Sequence, residues 1–231
     1  MKRILLLAFI LLPLALLGCK DRYHWRQKLT VTVETPSGAV SAASVSAVSW
    51  ARHLIRFPEG MGWHYDLTGE AVVVEIAPGR YLFALLKGAG TTEYMGSVAA
   101  ASISAQEGRV IDDALFDEVR DKRDRAAGVI AVPDYQYPML VTFADIADPA
   151  SVELVDPADL AASFGPGVRL KSVTLEVTDE PVTEGKVEAV LGWLSTIWPN
   201  HLDGQRYETL GARFPLANSL GVGWFSTEVR K

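Results

Sequence analysis

The stretch LTVTVETPSGAVSAASV, residues 29–45, determines how the N-terminal half folds. Apolar and polar side chains alternate through its first part, which is the two-residue period of a strand with one buried face. Residues 35–38 (TPSG) contain the Pro and Gly that favour a turn. The small side chains of residues 39–50 suit a strand that returns beside the first. The sequence therefore predicts an antiparallel pair, with a buried face that begins with Leu29, Val31 and Val33.

A second strand pair follows at residues 70–87. Residues 70–76 (EAVVVEI) are apolar on both faces, which predicts a central strand. Residues 77–80 (APGR) place Pro before Gly, as a type II turn requires, and residues 81–87 (YLFALLK) are expected to pair back. Between the two pairs, residues 51–69 are expected to form an irregular aromatic insertion, because they contain Pro58, Gly60, Gly62 and Gly69.

Residues 29–87 resemble the prealbumin-like β-sandwich modules, including the carboxypeptidase regulatory type. The likeness is carried by LTVTVETPSGAVSAASV and by IAPGRYLFALL, residues 76–86. It implies an antiparallel β-sandwich that binds or supports another molecule. The long aromatic insertion at residues 51–69 departs from the pattern of that family.

The rest of the chain mixes helical and strand patterns, so the expected class is α+β. An N-terminal antiparallel β-sandwich-like module would be followed by a mixed sheet with two or three helices. In residues 168–179 the apolar side chains change from even-numbered to odd-numbered positions, which predicts a bulge near Ser172. Asp112 and Asp156 are expected to cap helices. The tail at residues 200–231 is expected to be ordered, because Tyr207, Leu210, Phe214, Trp224 and Phe225 need burial. Helices are predicted over 91–106, 112–128, 156–165 and 183–198, and strands over 138–143, 151–156 and 168–179.

The N-terminus has the pattern of an export signal. Lys2 and Arg3 precede the uninterrupted apolar run Ile4 to Leu17, which is shorter than the roughly 20 residues that a membrane-spanning helix needs. The run ends in Leu16-Leu17-Gly18-Cys19, which resembles the lipobox of bacterial lipoproteins. The alternative is an ordinary secretory signal followed by a chance cysteine.

The lipobox resemblance implies that the Cys19 thiol receives a diacylglycerol, that cleavage precedes Cys19 and that the new amine is acylated. Several acyl chains give stable membrane anchoring. The expected organisation is a signal peptide at 1–18, a lipidated tether at 19–27, a β-sandwich-like region at 28–110 and an α+β region at 111–231. In bacterial lipoproteins of the enterobacterial pattern an Asp after the cysteine favours retention in the inner membrane, so the resemblance, with Lys20 at this position, implies the periplasmic face of the outer membrane. Residues 137–185 also resemble an uncharacterised bacterial envelope lipoprotein family, which implies no function.

Composition excludes several classes of partner. Removal of residues 1–18 takes away Lys2 and Arg3, so 20 basic residues face 28 acidic ones, a net charge of −8. Such a body is a poor ligand for nucleic acid and for anionic lipid surfaces. No metal or cofactor is expected, because the four histidines lie at no metal-ligand spacing from one another or from Cys19. They are His24, His53, His64 and His201.

The candidate binding residues are Trp63, His64, Tyr65 and Asp66, in the cluster GWHYD at 62–66. In an extended chain His64 and Asp66 share a face, as a general base and its orienting acid would. The alternative is that Trp63 and Tyr65 cover the edge of the sandwich while His64 lies on the surface. No Gly-x-Ser-x-Gly elbow is present, which argues against a standard serine hydrolase.

Two functions follow from these patterns. The first is a non-enzymatic binding or structural accessory lipoprotein of the cell envelope, with the aromatic insertion as its contact surface. Its partner would be an envelope protein or a glycan. The second is a hydrolase that acts on an envelope polymer or glycan through His64 and nearby acids.

Overall fold

The computed structural model describes residues 22–52, 63–90, 93–121 and 128–230. Within these residues the chain forms two antiparallel sheets and six helices, which confirms the predicted α+β class. The five-stranded sheet has the order β3-β2-β1-β9-β6. Its strands are β1 (Arg22–Thr35), β2 (Gly38–Arg52), β3 (Trp63–Thr68), β6 (Ile130–Ala131) and β9 (Arg169–Thr178).

Strand β1 is the centre of the five-stranded sheet. It pairs with β2 along its whole length, and the predicted turn separates the two strands between Thr35 and Gly38. On its other side it pairs with β9, where the register shifts at Lys171 and confirms the predicted bulge. From Tyr23 to Val33, alternate residues of β1 face inward and are buried. They are Tyr23, Trp25, Gln27, Leu29, Val31 and Val33.

The predicted tether at residues 19–27 is wrong for residues 22–27. These residues continue the alternation of β1, and Trp25 is only 2 % exposed. Residues 19–21 lie outside the described part of the chain. The expected boundary at residue 110 also differs from the observed pairing, because β1 pairs with β9 and β5 pairs with β7. The C-terminal strands therefore complete two antiparallel sheets and do not form a separate mixed sheet.

The four-stranded sheet has both faces covered. Leu82, Ala84 and Leu86 of β5 face the core shared with the five-stranded sheet. Phe83 and Leu85 face a second core, which the C-terminal segments close. The order is β4-β5-β7-β8, with strands β4 (Val72–Ala77), β5 (Arg80–Gly88), β7 (Pro138–Phe143) and β8 (Val152–Leu154).

The predicted β4–β5 hairpin is present, but β4 is an edge strand and not a central one. Its side chains are apolar on both faces because each face meets a core: Val72 and Val74 pack in the first core and Val73 against the second. A strand that is apolar on both faces is therefore one whose two faces are both buried. The pattern does not indicate whether the strand lies at the centre or at the edge of the sheet.

Six helices are described: α1 (Tyr94–Glu107), α2 (Asp113–Asp121), α3 (Leu160–Phe164), α4 (Lys186–Val190), α5 (Leu194–Ile197) and α6 (Pro215–Ser219). Asp112 accepts a hydrogen bond from the backbone N–H of Leu115, as predicted for a capping residue. Helix α3 begins later than predicted. Its cap is Asp159, whereas the carboxylate of Asp156 accepts from Ala158 in the preceding turn.

The helix predicted over 183–198 is two short helices. Val187, Leu191 and Leu194 are fully buried in the second core, whereas Trp198 at the end of the predicted helix is exposed. The helix is interrupted at Gly192, a residue that disfavours helix propagation. The Trp193 indole there donates to the carbonyl of Ile146 at 2.8 Å. A contact with a distant loop therefore overrides the helical period.

The C-terminal tail is ordered, but hydrogen bonds, rather than burial of its aromatic residues alone, hold much of it in place. Phe225 is fully buried, whereas Tyr207, Leu210 and Phe214 are exposed, contrary to expectation. The loop before α6 is held by buried Asn218 instead. Its amide donates to the Asp203 carboxylate and to the Tyr207 carbonyl, and it accepts from the Thr209 N–H.

Glu70 links three parts of the fold. Its side chain is 1 % exposed, and its carboxylate accepts the backbone N–H groups of Lys186 and Val187 at 3.2 Å each. Its backbone carbonyl accepts the hydroxyl of Ser44 in β2 at 2.7 Å, and the residue pairs with Ser226 of the C-terminal tail. Burial raises the pKa of Glu70 above its ordinary value of 4.5, and the nearby Glu188 adds to that rise.

Glu70→Gln is expected to change the pH dependence of stability. Because the folded state raises the pKa of Glu70, the folded state holds this proton more tightly than the unfolded state does. The stability that this group contributes is therefore present below pH 4.5 and is lost as the pH rises through the raised value. The stability of the wild type relative to E70Q should fall as the pH increases above 4.5, measured by urea unfolding at a series of pH values. Exposed Glu153→Gln serves as the control, and an equal change in both variants would refute the assignment.

Candidate functional site

An aromatic row crosses the five-stranded sheet one residue from the end at which β1 begins. Tyr23 lies directly opposite Trp50, and Trp50 lies opposite Tyr65. The rings of Trp50 and Tyr65 have centroids 5.1 Å apart. Phe116 of α2 packs on this row, with centroids 5.7 Å from Tyr23 and 6.2 Å from Trp50. The row forms a rigid apolar floor, because offset and tilted ring contacts are favourable.

Side chains of β1 and β2 fix the start of helix α1 above this row. The buried Gln27 amide donates to the carbonyl of Met95 at 2.7 Å and accepts from the indole of Trp25 at 2.9 Å. The indole of Trp50 donates to the carbonyl of Gly96 at 3.0 Å. The amide of Gln27 and the indoles of Trp25 and Trp50 each have an acceptor, so these three groups hold the helix without the cost of an unpaired buried donor.

Gly96 lets helix α1 approach the aromatic row. A Cβ atom at this position would lie 2.6 Å from Cε2 of Tyr65 and 2.9 Å from Cζ2 of Trp50. Both rings are held by neighbouring strands and by ring contacts, so neither can withdraw cheaply. The close packing of α1 on Tyr65 therefore requires a residue without a side chain.

A cavity of about 250 Å³ opens beside this contact. It lies between β3, the start of α1 and the 3-10 turn Val222–Trp224. Two carboxylate residues and two aromatic residues stand among the lining residues. The lining consists of Tyr65, Asp66, Leu67, Glu93, Gly223, Trp224 and Thr227.

The electrostatic character of the cavity follows from its neighbours. Burial raises the pKa of Tyr65 above its ordinary value, and the negative charge of Glu93 raises it further. The phenol therefore stays protonated and uncharged at neutral pH. The ammonium group of Lys87 lies 5.3 Å from the centroid of the Trp224 ring, a favourable cation–π distance that helps to hold this lining residue in place.

The wall formed by the C-terminal tail is fixed to residues 69–71, the segment between β3 and β4. The hydroxyl of Thr227 accepts the N–H of Gly69 at 2.9 Å and donates to the Gly69 carbonyl at 3.1 Å. The Ala71 N–H donates to the carbonyl of Phe225 at 2.7 Å. The cavity is therefore a preformed concavity whose walls come from distant parts of the chain.

The structure brings two of the four predicted binding residues into this cavity. Tyr65 and Asp66 line it. Trp63 and His64 belong to β3, where they pair with Arg52 and Ala51, but their side chains lie outside the described part of the chain. The proposed pairing of His64 with Asp66 thus stays a prediction.

The structure describes only part of the predicted aromatic insertion at residues 51–69. Its prediction as irregular is wrong for residues 51–52, the end of β2, and for residues 63–68, which form β3 and pair with residues 47–52. The alternation of Tyr65 and Leu67 inward with Asp66 outward carries the strand period, although the glycines on either side hid it. Residues 53–62, which include His53, and the predicted lipidation residue Cys19 lie outside the described residues.

Sequence analysis missed four lining residues outside the predicted insertion, which are Glu93, Gly223, Trp224 and Thr227. Trp224 was expected only to be buried in the tail, and it is partly exposed at the cavity. The three tail residues reach the cavity through the pairing of the tail with residues 69–71. No local pattern in the sequence predicts that pairing.

Within the described ranges, no group of three or more His, Cys, Asp or Glu side chains is placed to hold a metal ion. Among the helices that the structure describes, none combines the length and the apolar character needed to cross a bilayer. Comparisons of the chain with protein-family models, with curated proteins and with solved structures find no match. Function is therefore inferred from the residues themselves.

Gly96→Ala should destabilise the protein. The substitution would favour the helical conformation by about 1 kcal/mol, but overpacking of a dense core costs about 1–3 kcal/mol. With contacts as short as 2.6 Å to Tyr65, we expect a net loss of about 1–2 kcal/mol in the free energy of unfolding. Chemical denaturation measures this loss. Gly192→Ala is the matched control, because a Cβ there would meet nothing within 4 Å; equal effects of the two substitutions would contradict the packing argument.

Proposed function

We propose that the protein is a lipid-anchored component of the bacterial cell envelope with a non-enzymatic binding or accessory role, held at the periplasmic face of the outer membrane. The observation that supports the anchor is Leu16-Leu17-Gly18-Cys19 at the end of an apolar run with two basic residues before it. The position of Lys20 supports the outer membrane as the destination.

The binding role is supported by the cavity beside β3. Its volume of about 250 Å³ is below the ≈ 300–1,000 Å³ of sites for drug-sized ligands. It suits one ring or one side chain of a larger ligand. Carboxylates offer about four acceptor positions each, so Asp66 and Glu93 can accept ligand donors in addition to bonds within the protein. The rings of Tyr65 and Trp224 offer apolar faces beside these acceptors.

This combination fits a polyhydroxylated ring, so the ligand class we propose is an envelope glycan. A sugar presents C–H groups on one face and hydroxyl donors around its rim. Aromatic walls with adjacent carboxylates match both features. The acidic body, with a net charge of −8 after removal of residues 1–18, also disfavours a strongly anionic ligand.

Cys19→Ser tests the anchor. The wild-type chain is expected to begin at Cys19 and to carry acyl chains, as seen by mass spectrometry of the intact protein and by labelling with palmitate. The variant should keep its N-terminal segment, carry no acyl chains and incorporate no palmitate. Recovery of wild-type protein that begins at Met1 without acyl chains would refute the anchor.

Asp66→Asn and Glu93→Gln test the cavity. Each removes a charged acceptor, and loss of a hydrogen bond to a charged group costs about 1.5–3 kcal/mol, or roughly tenfold or more in affinity. Isothermal titration calorimetry with soluble disaccharide fragments of the cell-wall glycan measures the change, with exposed Glu153→Gln as the control. Equal affinity in all variants, or no heat with the wild type, would exclude the cavity as the glycan site. Release of cleavage products during the titration would favour a hydrolase instead.

A further inference from the structure

We propose that the folded body is docked on the membrane surface, with the end of the five-stranded sheet at which β1 begins facing the bilayer. This inference rests on the proposed acylation of Cys19. It goes beyond that proposal because acylation alone fixes neither the distance nor the orientation of the body. Many anchored proteins could extend from the membrane on a long linker.

The first step of the argument is where the fold begins. Strand β1 starts at Arg22, which is already paired with Ala51 of β2. The next inner residue, Tyr23, is 8 % exposed and packs on Phe116. The sheet is therefore fully formed at the residue where the described chain begins, and no flexible linker separates Arg22 from the core.

The second step is the length of chain between the fold and the lipid. Only Lys20 and Asp21 lie between Cys19 and Arg22. A fully extended chain gains at most about 3.6 Å per residue, so the Cα atoms of Cys19 and Arg22 are at most about 11 Å apart. The headgroup layer of one leaflet is itself about 5–8 Å thick. The start of β1 must therefore lie against the headgroups.

The third step is which end of the body this is. Arg22 lies opposite Ala51, and Ala51 lies opposite His64, so the start of β1, the end of β2 and the start of β3 share one end of the sheet. The turn around Ser37 lies at the other end, a full strand away. With a rise of about 3.3 Å per residue, β1 is roughly 45 Å long. The tether is thus far shorter than the sheet that it holds.

This orientation also places the candidate cavity near the membrane. Tyr65 is in the row next to the docked end, since it aligns with Trp50 and Tyr23. Together the tether and one or two strand residues span less than about 20 Å. A ligand of the cavity would accordingly be bound close to the lipid surface.

The test uses depth-dependent quenching on the full-length acylated protein. Cys19 is the only cysteine in the chain and its thiol is consumed by the lipid, so an introduced cysteine is the single site for a fluorophore. The two variants are His24→Cys, on the exposed face near the start of β1, and Ser37→Cys, in the exposed turn at the far end. Both are reconstituted in vesicles of phosphatidylethanolamine and phosphatidylglycerol that contain a lipid with a nitroxide on its headgroup.

The label at position 24 should be quenched severalfold more strongly than the label at position 37. Equal quenching, or stronger quenching at position 37, would overturn the docked orientation while leaving the anchor intact. Protein that carries no acyl chains and does not float with the vesicles would overturn the anchor and the docking together. Mass spectrometry of the same samples distinguishes these two failures.

A linker variant tests the cause of the docking. A flexible Gly-Ser segment inserted between Asp21 and Arg22 should reduce quenching at position 24 towards the value at position 37, without loss of acylation or of vesicle binding. Unchanged quenching at position 24 would contradict the short tether as the cause.

Discussion

The register of strand β1 is the constraint on which the rest of the structure depends. Its inner residues, from Tyr23 to Val33, all lie in the core, and the strand has partners on both sides. A shift by one residue would turn this entire set towards solvent and bring charged residues such as Lys28 inward. It would also separate the Gln27 amide from Met95 and the aromatic row from α1. The candidate cavity, the seat of helix α1 and the start of the fold at Arg22 all follow from this single alignment.

Those parts of the fold that depend on local chemistry could be predicted from the sequence. The turn after Thr35, the β4–β5 hairpin and the bulge at Lys171 each follow from side-chain parity or from Gly and Pro in turn positions. The predictions that were wrong concern parts of the fold that depend on tertiary contacts. The helix over 183–198 is broken where Trp193 bonds to a distant carbonyl, and β4 lies at an edge because its apolar faces meet two separate cores.

Two of the seven residues that line the described site could be recognised in advance. Tyr65 and Asp66 belong to a conspicuous aromatic and acidic cluster, whereas Glu93 and Trp224 look like ordinary residues of a loop and a tail. Gly96 shows a further limit of sequence analysis. In a helix rich in small residues, one glycine without any side chain gives no sign that two aromatic rings lie where its Cβ would be. Its importance is visible only once β2 and β3 are aligned.

The pairing of β1 with β9 has a consequence for how the chain acquires its shape. Val31 pairs with Val173, so one partner of the central strand lies roughly 140 residues further along the chain. Contacts between residues so far apart in sequence form slowly. A chain that crosses a membrane with its N-terminus first would deliver β1 early and β9 late. The five-stranded sheet would then stay incomplete for most of the passage, with one side of β1 unpaired. That side would be closed only when Thr178, the last residue of β9, has emerged.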